Sequence, residues 1–404
     1  MEYSFYDFLK LIGSLGLFLY GMKIMSEGLQ KVAGDRLRSI LTAMTTNRVT
    51  GVLTGVLITA LIQSSSATTV MVVSFVNAGL LTLAESISVI MGANIGTTVT
   101  AWIISIFGFK VDMAAFALPL LAIALPLIFS GKSNRKSIGE FIFGFSFLFM
   151  GLSYLKANAP DLNANPEMLA FVQNYTDMGF FSILLFLFIG TILTMIVQAS
   201  AATMAITLIM CANGWISLEL GAALVLGENI GTTITAVLAS IGTDRTAKQA
   251  CAAHVLFNVI GVCIFLTILP LYQELIAMTA TGIAHQIANA HTLFNVFNTI
   301  IFLPFVKPFA ALIRRLLPDK AHKVVEGAQY LDPKLIEATP GIAVEAVKNE
   351  CAYMGFLVIH LLDSVQEVFF NDKKDLIPKI EETEAKIDQL HKAVKAYAED
   401  IMQA

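Results

Sequence analysis

Two short stretches carry unusual polarity for the apolar sequence around them. Gln63-Ser64-Ser65-Ser66-Ala67-Thr68-Thr69 lies between LITALI and VMVVSF, and Gln198-Ala199-Ser200-Ala201-Ala202-Thr203-Met204 lies 135 residues further on. Six polar side chains in seven residues cannot face hydrocarbon, where each unsatisfied group costs on the order of a few kcal/mol. Ser and Thr can bond back to their own helix, which would account for one or two. Six predict unwound backbone at a helix break that lines a cavity. Hydroxyl and amide groups beside the freed N–H groups of a helix N-terminus suit an oxyanion. The second copy keeps only Ser200 of the three consecutive serines.

A second motif, Gly-x-Asn-Ile-Gly-Thr-Thr, occupies 92–98 and 227–233. Its glycines are expected to break helices, and its Asn and Thr oxygens with freed carbonyls could coordinate Na⁺. Packing of small residues at a helix interface is the alternative for the glycines. The candidate sodium ligands are Thr68, Asn94, Thr97 and Thr98 in the first copy, and Thr203, Glu228, Asn229, Thr232 and Thr233 in the second. Between 49 and 109 the only charged residue is Glu85, and between 179 and 243 only Glu219 and Glu228 occur. An anion bound among these segments must be neutralised by dipoles and by cations that travel with it. Glu228, beside Asn229, is an ionisable group at membrane depth and so a functional candidate. Glu85 and Glu219 fall nearer the predicted hairpin ends, at the interface.

His254-Val-Leu-Phe-Asn258 and His291-Thr-Leu-Phe-Asn295 form another pair. Their i, i+4 spacing places His and Asn on one helix face, where an interhelical hydrogen-bonded lock is weighed against a role in substrate or proton handling. Cys211, Cys251, Cys263 and Cys351 have no metal or redox spacing, and the three in apolar segments read as small buried hydrophobes. No nucleophile–base triad, nucleotide loop or metal cluster is legible, so neither an enzyme nor a cofactor is expected, and sodium is the only metal ion.

The elements that must position these groups are membrane spans. Of 404 residues, 56% are hydrophobic and 14% charged, with a mean hydropathy of +0.74. Soluble domains are roughly 45–50% apolar and about 25% charged. Residues 318–404 hold 10 Lys/Arg and 16 Asp/Glu, leaving 16 and 14 for the first 317; an apolar body precedes an acidic soluble tail. No basic patch supports a nucleic-acid partner. The acidic start MEYSFYDFLK runs into a full span, so no cleavable signal peptide is expected. Spans of about 20 apolar residues are predicted over Phe8–Met25, Met113–Ser130, Ile138–Leu155, Ala250–Tyr272 and Ile287–Val306. The longer stretches 49–109 and 179–243 are interrupted by polar residues.

Lys and Arg collect in four places: Lys31, Arg36, Arg38 and Arg48; Lys132, Arg135 and Lys136; Arg245 and Lys248; and Lys307, Arg314, Arg315 and Lys320. The 156–178 loop sets Asp161, Glu167 and Asp177 against Lys156. Basic loops face the cytoplasm, which predicts an N-terminus outside and a tail inside. GANIGTTVTA (92–101) recurs as GENIGTTITA (227–236), identical at eight of ten positions. The same 135-residue shift carries Gly55, Thr59, Gln63, Ser65, Ala67, Thr68, Gly79 and Leu83 onto Gly190, Thr194, Gln198, Ser200, Ala202, Thr203, Gly214 and Leu218. One copy begins from a cytoplasmic loop and the other from an external one, so the copies run oppositely. The fold expected is an all-α polytopic membrane protein with inverted-topology repeats, broken or re-entrant helices and a small helical cytoplasmic tail. Such repeats are characteristic of secondary transporters; the alternative is a duplicated scaffold.

QSSSATT followed by GANIGTT, with QASAATM and GENIGTT, resembles the type II sodium/phosphate cotransporter family over roughly residues 5–310, in its bacterial branch with a cytoplasmic extension. The resemblance implies inorganic phosphate as substrate and Na⁺ as coupling ion. The family's phosphate-contacting motif maps onto Gln63, Ser64, Ser65, Ser66, Gln198 and Ser200. The sequence departs at Ala199 and Ala201, where the family usually has serine. Thr-Asp-Arg-Thr (243–246) also resembles the family. The domains expected are a transporter body over 1–317 (repeats at about 49–155 and 179–310), a linker over 318–340, and 341–404 resembling one end of a PhoU-like domain. Two amphipathic tail helices, with Pro378 in the first turn of the second, would leave an apolar face for a second subunit, as in a homo-oligomer, or for further chain. The leading expectation is sodium-coupled phosphate transport across the cytoplasmic membrane. Its rivals are a phosphate exporter, a carrier of another oxyanion or carboxylate, and a non-transporting phosphate sensor signalling through the tail.

Overall fold

The computed structural model describes residues 4–33, 47–78, 80–110, 113–160, 174–241, 243, 245–318, 328–332, 335–336, 340–371 and 373–403. Gly79, Arg36, Arg38, Asp161, Glu167, Asp244 and Lys320, used above to read the repeat, the loops and the Thr-Asp-Arg-Thr segment, lie outside them, as does most of the expected linker. Among the described residues every regular element is helical. In chain order these are α1 (Phe5–Ala33), α2 (Arg48–Ile62), α3 (Ser65–Asn77), α4 (Leu83–Ile103, continued by a π-helical turn Ile104–Lys110), α5 (Ala114–Ile128) and α6 (Ser133–Asn158). Then come α7 (Phe180–Val197), α8 (Ser200–Ala212), α9 (Leu218–Gly231), α10 (Ile234–Ala239), α11 (Arg245–Thr267), α12 (Leu269–Thr279), α13 (Ile283–Phe302) and α14 (Val306–Leu316). The tail consists of α15 (Pro340–Asn371) and α16 (Ile377–Gln403). The predicted span Ala250–Tyr272 is divided between α11 and α12, because Pro270 cannot supply the N–H that a continuous helix needs.

Among the described residues eight helical segments are long and apolar enough to cross a membrane, most of α15 in the tail being one of them, and outward faces of the body carry bare hydrophobics such as Phe181 and Ile196. This is a multi-pass membrane protein. Backbone contacts at glycine fix the helix directions. Gly55 packs on Val89, Gly92 on Val52 and Gly96 on Val56, so α2 and α4 run parallel. Since α4 starts level with the start of α2, the intervening α3 must turn back: α2 and α3 form a helical hairpin. The second copy repeats this arrangement, with Gly190 on Leu224, Gly227 on Leu187 and Gly231 on Thr191.

The glycines of the second motif therefore serve close approach rather than helix breaking. This corrects the sequence expectation: α4 is unbroken through Gly92 and Gly96, and only in the second copy does α9 end at Gly231. A Cβ on Gly92 or Gly227 would overlap a backbone carbonyl of the neighbouring helix.

α13 stitches the copies together. It is antiparallel to α4, with Trp102 Nε1 donating to Thr292 Oγ1 at 3.1 Å and Thr299 Oγ1 donating to the Met91 carbonyl at 3.5 Å. It is parallel to α9, where Gly221 packs on Ile287 and Asn229 meets Asn295. Hence α4 and α9, equivalent by sequence, point in opposite directions. α1 and α6 form an antiparallel pair through Gly21, Gly28, Gly144 and Gly151, each set against the other helix's backbone.

The tail docks on the base of the first hairpin. Asn349 Nδ2 donates to the Ala78 carbonyl at 2.8 Å, and Ile342, Ala343 and Ala346 share a buried cluster with Leu81, Leu83 and Ile87. Leu335 and Ile336, within the stretch read as linker, are buried in that cluster too. Lys386 Nζ donates to the Tyr353 hydroxyl at 2.9 Å, tying α16 to α15. Tyr397 donates to the Asp332 carbonyl at 2.6 Å; burial pushes this phenol up to about 12. Pro378 falls in the first turn of α16, and Phe356, Ile359, Leu362 and Phe369 on α15 remain exposed.

Candidate functional site

Each hairpin turns on a glutamine. Gln63 (φ 57°, ψ 28°) and Gln198 (φ 54°, ψ 24°) both sit in the left-handed region, and no other non-glycine residue among those described has positive φ. Such a conformation costs of order 1–3 kcal/mol for a residue with a Cβ. Glycine would relieve it, so the same strain held twice points to a use for the glutamine side chain. The break is short. Ser64 caps α3, accepting from the Ala67 N–H at 3.2 Å, and residues 65–69 are already helical. Ala199 takes the equivalent place with a similar backbone (φ −141°, ψ 97°) but supplies no side-chain cap to α8.

The two tips meet. Gln63, Ser64, Ser65 and Ser66 line one side of a cavity of about 340 Å³, and Gln198, Ala199, Ser200 and Ala201 line another. Pockets for small ligands run from roughly 300 to 1,000 Å³, so this one suits a small ion. The N-termini of α3 and α8, both thirteen residues long, open onto it. Their free N–H groups and dipoles favour negative charge. All six residues read as anion ligands are brought together here.

The tips are braced alike. Thr59 Oγ1 donates to Thr68 Oγ1 at 3.0 Å, and Thr194 Oγ1 donates to Thr203 Oγ1 at 3.0 Å. All four are buried behind the tips, so Thr68 and Thr203 hold the hairpins in shape. The copies differ at the cavity surface. Gln63 is buried, with Nε2 donating to the Ala60 carbonyl and Oε1 accepting from Thr100 at 3.1 Å. Gln198 is exposed, and the hydroxyl of Thr235, the counterpart of Thr100, is turned to the Thr232 carbonyl at 3.0 Å.

The candidate cation ligands divide. Thr97 lines the cavity, its hydroxyl donating to Ala93 O at 3.0 Å. Asn94 and Asn229 lie in a buried polar layer between the repeats and α11 and α13. Asn94 Oδ1 is 3.3 Å from His254 Nε2, a hydrogen bond when that nitrogen carries the proton. Asn229 Oδ1 accepts from Asn295 Nδ2 at 3.0 Å. Asn258 and Asn295 also donate back to the carbonyls of His254 and His291, at 3.0 and 2.9 Å. Each of the two His-x₃-Asn motifs thus serves one copy of Gly-x-Asn-Ile-Gly-Thr-Thr. Thr98, Thr232 and Thr233 bond to carbonyls of their own helices at 2.7–2.9 Å. Glu228 is 1% exposed; Oε1 accepts from Thr207 at 3.0 Å, while Oε2 has no hydrogen-bond partner. A buried carboxylate with one oxygen unused is a ready cation ligand or proton carrier.

The sequence profile described as Na⁺/Pi-cotransporter matches residues 17–157 and 164–291, both hairpins included. The chain belongs to this family. YqeW of Bacillus subtilis (strain 168), an uncharacterized protein, is 33% identical over 273 residues, which cover 67% of this chain and 82% of YqeW. YjbB of Escherichia coli (strain K12), provisionally named an inorganic phosphate export protein, is 29% identical over 269 residues, 66% of this chain and 48% of YjbB. The sodium-dependent phosphate transport protein 2A of Rattus norvegicus is 41% identical over 100 residues, 24% of this chain and 15% of that protein. The chain therefore matches about half or less of these last two relatives. No solved structure matches it.

Part of the site escaped the sequence reading. Lys23, Ser26, Glu27 and Gln30 of α1 line the cavity, as does Thr100. The spacing 23, 26, 27, 30 is one helix face on an otherwise apolar span, a signal that could have been read. GLFLYGMKIMSEGL (16–29) and GEFIFGFSFLFMGL (139–152) also align glycine for glycine, extending the repeat to α1 and α6.

Proposed function

We propose that the chain carries inorganic phosphate across the cytoplasmic membrane together with Na⁺. The observation that carries this reading is the convergence of two polar hairpin tips and two helix N-termini on one small cavity. Gln63, Ser64, Ser65, Ser66, Gln198 and Ser200 hold phosphate in this proposal, donating N–H and O–H groups to its oxygens. The repeat cores contain no Lys or Arg, so cations must accompany the anion. Glu228 is the first candidate to bind one, with Asn94, Asn229, Thr97, Thr98, Thr232 and Thr233 as oxygen ligands that must exchange their present hydrogen bonds to do so. Thr68 and Thr203 act in this proposal through the tips they brace.

With the basic loops inside, the parallel pair α2/α4 runs outward and its counterpart α7/α9 inward, an inverted repeat. The exposed tip at Gln198 and the face of α1 toward Gln30 then lie in the cytoplasmic half, so the cavity opens inward. α16, which packs on α15, carries exposed Glu381, Glu382, Glu384 and Asp388, which favours a PhoU-like cytoplasmic hairpin over a further span.

Uptake of labelled phosphate into proteoliposomes, with and without an inward Na⁺ gradient, tests the proposal. Uptake driven by that gradient supports it. The likeness to YjbB favours a second reading, phosphate export, which predicts phosphate flux without gradient-driven accumulation. A sensor would give no flux at all.

A further inference from the structure

We infer that Lys23 of α1 is a direct cationic ligand of the transported anion, and that Glu27 is its exchangeable partner when the site is empty. The inference rests on the proposed phosphate cavity and deepens it. α1 is held in one rotational setting. Gly21 and Gly28 press its back against the backbone of α6, and on the opposite side Ser26 Oγ donates to the Ile62 carbonyl at 2.9 Å, pinning α1 to the base of the first tip. Lys23 and Glu27 flank Ser26 on that face and line the same cavity as Gln63–Ser66 and Ser200.

The pair is loose. Lys23 Nζ and Glu27 Oε1 are 3.8 Å apart, beyond hydrogen-bonding distance, and the side chains are 69% and 47% exposed. An exposed pair of this kind adds little to stability. The ammonium, with three donors on a flexible stem, is free to turn to a second anion in the same cavity. A phosphate dianion offers more charge and more acceptors than one carboxylate, so its arrival moves Lys23 from Glu27 to the substrate. Glu27 left behind repels the anion, which favours release once the lysine returns.

The second repeat lacks this device. In the aligned segments Lys23 corresponds to Ser146 and Glu27 to Met150. A pair useful only for helix packing would have no reason to face the cavity on one side of the pseudo-symmetric body alone.

The test is calorimetric titration of the purified full chain with inorganic phosphate at fixed NaCl, comparing wild type with Lys23→Gln, Lys23→Arg and Glu27→Gln. Loss of a charge-assisted contact predicts affinity about 10-fold or more weaker for Lys23→Gln, largely restored in Lys23→Arg, and tighter than wild type for Glu27→Gln. Melting temperatures without phosphate should stay within about 2 °C of wild type. Binding by Lys23→Gln within about 2-fold of wild type would overturn the inference and leave the proposed function standing. A wild-type chain that binds no phosphate would overturn both.

Discussion

Thr100 donates its hydroxyl to Oε1 of Gln63 at 3.1 Å, joining α4 to the strained residue at the first hairpin tip. With Nε2 committed to the Ala60 carbonyl, the glutamine amide is held at both ends. Gln198 is exposed at the other tip. The first tip is thus the preorganised half of the cavity, and the second is the adaptable half.

That asymmetry ranks the substitutions at the tips. Gln63→Ala and Ser65→Ala each remove a proposed contact to phosphate and should weaken its binding by about 1.5–3 kcal/mol, roughly 10- to 150-fold. Thr100→Val removes only the bond that orients Gln63 and should cost about 2- to 10-fold. Isothermal titration of each folded variant with phosphate reads the order, and wild-type affinity in both Gln63→Ala and Ser65→Ala would remove the tips from the site.

Glu228 and Thr207 form the buried contact on which cation coupling is proposed to depend. Glu228→Gln keeps the shape and removes the charge, so the Na⁺ dependence of phosphate affinity should flatten more than affinity at saturating Na⁺ falls. Linkage requires phosphate to tighten Na⁺ by the factor by which Na⁺ tightens phosphate. The check is a phosphate titration across Na⁺ concentrations with choline holding ionic strength constant. Equal binding in choline for the wild type would sink the coupling argument.

Gly92 and Gly227 sit where parallel helices touch backbone to backbone. Gly92→Ala and Gly227→Ala should each destabilise the body by about 1–3 kcal/mol through overpacking. Gly13, whose Cβ would meet nothing within 4 Å, is the control, and Gly13→Ala should be neutral or slightly stabilising. Thermal unfolding in detergent distinguishes them; equal melting temperatures for Gly13→Ala and Gly92→Ala would contradict the packing.

Orientation is read by labelling. On a background with Cys211, Cys251, Cys263 and Cys351 replaced, a cysteine at Asn165 should react with an impermeant thiol reagent from outside intact cells. One at Asn134 should be protected. The opposite pattern would reverse the assignment of the N-terminus and of the cavity mouth.

Much of this architecture is legible in the residues alone. The 135-residue self-match, the clustered polar side chains in apolar segments and the distribution of Lys and Arg together imply two equivalent units in a membrane, because hydrocarbon leaves few places for such groups. Local chemistry likewise determined the hairpin tips, where Gln63 and Gln198 stand at equivalent positions before a helix start. Tertiary packing decided the rest. Whether a glycine breaks a helix or lets a neighbour approach depends on what lies opposite; Gly92 has Val52 opposite it and stays helical. Nothing local in the sequence says which groups Asn94 and Asn229 meet; the fold brings His254 and Asn295, 160 and 66 residues away, into hydrogen-bonding distance of them. Lys23 and Glu27 lie outside the repeated motifs, and only the rotation of α1, set by Gly21, Gly28 and Ser26 against two different helices, turns them toward the cavity between the hairpin tips. A helix face is written in its own sequence, but the direction that face points is set by its neighbours.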